Sequence, residues 1–67
     1  MNEIENKKIQ KEIISFLERE NECELGCLMG ELDYTCDQIL GNVLELKNKG
    51  KIFKLVGRKG YFTLKRN

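Results

Sequence analysis

The run Thr35-Cys36-Asp37-Gln38-Ile39-Leu40-Gly41-Asn42-Val43-Leu44-Glu45-Leu46-Lys47-Asn48-Lys49-Gly50-Lys51-Ile52 holds a helix with both ends specified, followed at once by a change of period. Thr35 and Gln38 have the spacing of a capping box: the Thr35 hydroxyl accepts from the Gln38 backbone N–H while the Gln38 side chain reaches back. Tyr34 before the cap and Ile39 after it are placed for a hydrophobic staple, and Asp37 in the first turn suits the helix dipole. Ile39, Leu40, Val43, Leu44 and Leu46 form the expected buried stripe. Gln38, Gly41, Asn42, Glu45 and Lys49 form the expected opposite face. Gly50 ends the helix as a residue free to adopt positive φ, with lysines in the last turn favouring the negative end of the dipole.

Beyond Gly50, Ile52 to Val56 is strand-like, Gly57-Arg58-Lys59-Gly60 is a turn, and Tyr61 to Leu64 is a second strand. Phe53, Leu55, Phe62 and Leu64 fall on one side of this hairpin and Ile52, Val56 and Tyr61 on the other, more apolar surface than a small domain buries alone. Upstream, Ile9, Ile13, Phe16 and Leu17 recur at i, i+4, i+7 and i+8 and predict a helix from about Glu5 to Glu20. Ile14 widens its apolar stripe, and Lys7, Lys8, Lys11, Glu12, Glu18 and Arg19 take the solvated sides. Asn21 and Glu22 interrupt it. Cys23-Glu24-Leu25 alternates like a short extended segment, and Gly26 is placed to cap a short helix over Cys27 to Leu32. Gly30 and Gly41 weaken their helices, and close helix-on-helix packing is the expected reason.

All eleven acidic residues lie in residues 1–46 beside only four basic ones, a charge of −7; residues 47–67 carry eight basic residues and no acid. The net charge of +1 therefore hides a dipole. A one-sided positive field attracts polyanions and speeds their encounter. The chain is a single domain over residues 1–67. At this length only about 60% of the unfolded surface is buried, so the core is marginal. No apolar run nears the roughly 20 residues that cross a bilayer, so no membrane partner is expected. An odd cysteine count (Cys23, Cys27 and Cys36) without a signal-like N-terminus points to a reducing, cytoplasmic setting.

The order helix, short strand, short helix, tight turn, capped helix, basic hairpin resembles the winged helix-turn-helix family, from about Ile9 to Leu64. Leu28 to Leu46 matches its helix-turn-helix core, with Asp33-Tyr34-Thr35 as the tight turn. Leu44 to Ile52 looks like the family's passage from recognition helix into wing. The close on Gly60-Tyr61-Phe62 is similar to the C-terminal module of Smf-type DNA-processing proteins. The resemblance implies an α+β fold of three helices with a C-terminal antiparallel hairpin wing, or a small three-stranded sheet. It also implies duplex DNA as partner, with the third helix in the major groove and the wing on the adjacent backbone.

On that reading Gln38 and Asn42, one turn apart, hold the donor–acceptor pairs that read adenine edges. Lys49, Lys51, Lys54, Arg58, Lys59, Lys65 and Arg66 meet phosphates, with Arg58 and Lys59 reaching furthest from a glycine-flanked tip. The expected reading face has no arginine and includes Glu45, which phosphate repels, so contact dominated by the wing is expected. A transcriptional regulator fits these features. So does a protein-docking or homodimerising module, which the apolar hairpin would serve.

Histidine is absent, and no serine or cysteine has an evident base beside it, so no catalytic role is expected. Three cysteines without a fourth ligand make no ordinary zinc site, and no cofactor is expected. Cys36, at a helix start, reads as a small buried or boundary residue rather than a reactive thiol.

Overall fold

The computed structural model describes residues 3–64. Helix α1 runs Glu3–Glu20, strand β1 Glu22–Glu24, helix α2 Leu25–Glu31 and helix α3 Cys36–Asn48; β2 is Phe53–Lys54 and β3 Tyr61–Thr63. The fold is α+β, three helices and one antiparallel sheet. The hairpin gains a third strand, because β1 pairs along the free edge of β3 to give the order β1-β3-β2. Cys23 sits opposite Phe62, and Phe53 opposite Thr63.

α1 packs chiefly on α3. Ile9, Ile13, Phe16 and Leu17 are all buried, as their spacing requires, and they meet Ile39, Val43 and Leu46 of α3, Leu28 of α2, and Cys23, Ile52 and Phe62. The helix ends at Asn21, whose φ of 71° is the left-handed conformation an asparagine tolerates, and whose N–H donates to the Leu17 carbonyl at 2.8 Å. Its own carbonyl accepts from the Thr63 hydroxyl at 2.9 Å, which ties the turn to the central strand.

Both ends of α3 are built as read. The capping box is complete at Thr35 and Gln38. At the other end Gly50 (φ 75°) donates to the Lys47 carbonyl at 3.0 Å and Lys51 donates to Leu46 at 2.9 Å, the paired bonds of a Schellman motif. The stripe between those ends differs. Ile39, Val43 and Leu46 are buried, but Leu40 and Leu44 are 40% and 48% exposed and Asn42 takes the inner position. Residues 39, 42, 43 and 46 are the set at i, i+3, i+4 and i+7, so helical geometry overrides the leucines.

Three other expectations change. Gly26 does not cap α2, which begins two residues earlier than expected, at Leu25 after Glu24, without a side-chain cap. The Leu25 N–H instead donates to the Gly60 carbonyl at 3.1 Å, so a residue of the hairpin loop satisfies the helix start. Gly30 and Gly41 are not close-packed, since a Cβ at either would meet nothing within 4 Å. The hairpin is also not two-faced: Ile52 and Phe62 both enter the core, and only Val56, 83% exposed, is left fully outside.

Replacing Thr35 with alanine should lower stability by about 1 kcal/mol, read as a reduced urea midpoint at unchanged slope.

Candidate functional site

Gln38, Asn42 and Glu45 of α3 bond to side chains of α1. Gln38 is held three ways: its backbone N–H donates to the Thr35 hydroxyl (3.2 Å), its side-chain oxygen accepts from the Thr35 N–H (3.0 Å), and its amide donates to Glu5 (2.9 Å). Asn42 is 2% exposed. Its oxygen accepts from the Gln10 amide at 2.9 Å, and its nitrogen donates to Asn6 (3.2 Å) and to the Gln38 carbonyl (2.7 Å). The same Gln10 amide donates to Glu45 at 3.0 Å, and Glu45 pairs with Lys49 at 3.1 Å. The Asn42 side chain is therefore engaged in the α1–α3 contact, and the side-chain hydrogen bonds of Gln38 are spent on the cap and on Glu5. Among the described residues, no buried side-chain nitrogen or oxygen lacks a partner.

At the hairpin, Arg58 does not reach outward. Its guanidinium ion-pairs with Glu22 on β1 and lies 4.0 Å from the centroid of the Tyr61 ring, so it clamps the loop to the sheet. Gly57 and Gly60 supply the positive φ angles of this loop, 84° and 81°. Lys51, Lys54 and Lys59 are exposed. Lys65 and Arg66 lie outside the described residues.

Two basic residues absent from the expected site join it. Lys7 and Lys11, one turn apart on α1, line a groove of about 400 Å³ with Lys49 and Lys51. Ile14 and the buried Leu46 give it an apolar floor, and among the described residues Glu18 is the one carboxylate lining it. Among the described residues Lys7, Lys11 and Lys51 have no carboxylate within ion-pairing distance, whereas Lys49 has Glu45. The i, i+4 spacing of Lys7 and Lys11 is visible in the sequence; their meeting with Lys51 depends on how α1 crosses the end of α3. The outward face of α3 carries Asp37, Leu40, Gly41, Leu44 and Asn48 and offers few groups able to read a base edge.

The cysteines divide. Cys23 is buried in the core, donates to the Glu24 carbonyl at 3.2 Å, and is pushed up to about 12, first by burial and then by nearby Cys27. Cys27 and Cys36 are exposed, Cys36 at the first position of α3 rather than buried. Among the described residues no group of three or more cysteine, aspartate or glutamate side chains is arranged to hold a metal ion. No described helix is long and apolar enough to cross a membrane. The Tyr34 hydroxyl donates to Glu12, and that hydrogen bond leads the causes that push its pKa up to about 12.

Both raised groups favour their neutral forms in the folded state. Their contribution is present below the ordinary values of 9.0 for Cys23 and 10.0 for Tyr34, and is lost as pH rises towards about 12. Tyr34→Phe should therefore flatten the fall in stability above about pH 10, measured by urea unfolding across pH. A thiol reagent near neutral pH should modify Cys27 and Cys36 rapidly and Cys23 only on unfolding.

Removing the carboxamide of Asn42 with alanine should cost about 1–3 kcal/mol, because it strips partners from Asn6 and Gln10 at the α1–α3 contact; chemical denaturation measures the loss.

No protein-family model, curated protein or solved structure matches the chain.

Proposed function

We propose that this chain is a winged-helix domain that binds duplex DNA without catalysis, through phosphate contacts and with little base reading. The observation that carries this is the convergence of Lys7, Lys11 and Lys51 on one groove beside Lys49. Lys7, Lys11 and Lys51 outnumber the groove's carboxylate, Glu18; like charges in excess repel one another, and a polyanion relieves that repulsion while releasing its condensed counterions. Lys59 at the exposed tip and Lys54 on β2 extend the basic surface beyond the groove. The element order supports the winged-helix reading, with the capped α3 leading directly into the hairpin. Gln38 and Asn42 are engaged inside the fold, so discrimination between sequences is weak on this reading.

Anisotropy titrations with two unrelated duplexes test it. With about four phosphates neutralised, the logarithm of the affinity should fall with the logarithm of salt at a slope near −3.6. Lys7→Ala with Lys11→Ala should reduce that slope by about 2 while changing affinity for both duplexes alike. Binding that ignores salt, or no binding even at low salt, overturns the reading.

A further inference from the structure

We propose that the outward face of α3 joins a second copy of this chain, the two helices running antiparallel about a twofold axis. This goes beyond the nucleic-acid reading and does not depend on it. Three observations meet on that face. Leu40 and Leu44, one turn apart, are exposed in the middle of a well-formed helix; the other exposed large apolar residues of the described chain, Ile4 and Val56, stand apart near the start of α1 and in the hairpin loop. Gly41 lies beside them, in a helix that glycine weakens relative to alanine, and a Cβ there would meet nothing within 4 Å. The fold itself therefore does not require glycine at 41, whereas the close approach of another helix does.

The third observation is charge. Asp37 lies one turn before Leu40, and Lys47 lies three residues after Leu44. In an antiparallel pair with Leu40 opposite Leu44 of the second copy, Asp37 stands opposite Lys47, and the relation repeats by symmetry. A parallel pair sets Asp37 against Asp37 and Lys47 against Lys47. The face is thus self-complementary in one orientation only, as an isologous interface requires. Neither charge has an ion-pair partner within its own chain among the described residues. Two leucines a side are fewer than the apolar core of a stable interface, so the dimer is weak, with a Kd on the order of 0.1 mM.

Sedimentation equilibrium of the whole chain in reducing buffer, from micromolar to millimolar, tests this. The average mass should rise towards the dimer. Leu44→Glu should abolish the rise, and the milder Leu40→Ala should weaken it several-fold, with circular dichroism confirming that each variant stays folded. Asp37→Lys and Lys47→Asp should each raise Kd about three- to tenfold. Combined in one chain they should restore it to within about twofold. A monomer up to 1 mM (about tenfold above the Kd expected from the size of the face), association unchanged by Leu44→Glu, or a charge-reversed double variant no better than the single ones would each overturn the proposal.

Discussion

The carboxamide of Asn42, buried between α1 and α3 and held by Gln10, Asn6 and the Gln38 carbonyl, sets the rotation of α3 about its own axis. A buried amide must find partners, because leaving it unpaired costs about 1–3 kcal/mol. Turning α3 so that Leu40 and Leu44 enter the core would pull Asn42 away from the groups that satisfy it. It would also break the contacts of Gln10 and Gln38 with the facing helix. Ile39, Val43 and Leu46 give the contact its apolar area, and the amide fixes its register. What α3 shows to the outside follows: two leucines, a glycine, an asparagine and one carboxylate.

The same logic governs the charge asymmetry. Part of the separation between acidic and basic halves serves the fold, since Arg58 from the late half pairs with Glu22 from the early half. That contact joins the hairpin loop to the strand that follows α1, across the sheet whose centre is β3. Exposed ion pairs of this kind add little stability, so its consequence is orientation: the loop is held against β1 and Tyr61. The cations that line the groove are lysines, whose flexible, strongly hydrated ammonium groups act as point charges and suit phosphate attraction without geometric selection.

These two features shape the functional proposals. A reading helix needs donors and acceptors pointing outward, and α3 turns Gln38 and Asn42 towards α1. Lysines distributed over a groove and a loop tip need only proximity to a charged backbone. The exposed leucines are then free for contact with protein, and self-complementary charge makes a second copy the partner that fits.

The elements of the fold were legible because their signals are local. The apolar period of α1, the capping box at Thr35 and Gln38, the glycine stop at Gly50 and the change of period after it each act within a few residues, and each stands where it was read. The site was less legible. Leu40 and Leu44 look like core residues and Asn42 like a surface residue on hydrophobicity alone, and only packing against a glutamine thirty-two positions earlier reverses them. Arg58 reads as a mobile tip until β1 brings Glu22 beside it, and Lys7 and Lys11 read as a solvated face until α1 crosses the end of α3. The sequence by itself determined the order of the elements, both ends of α3 and the overall division of charge, since capping, periodicity and φ preference are short-range. The tertiary structure alone decided which side chains face outward and which charges remain unpaired. Those depend on long-range partners that satisfy buried polar groups and neutralise neighbouring charges.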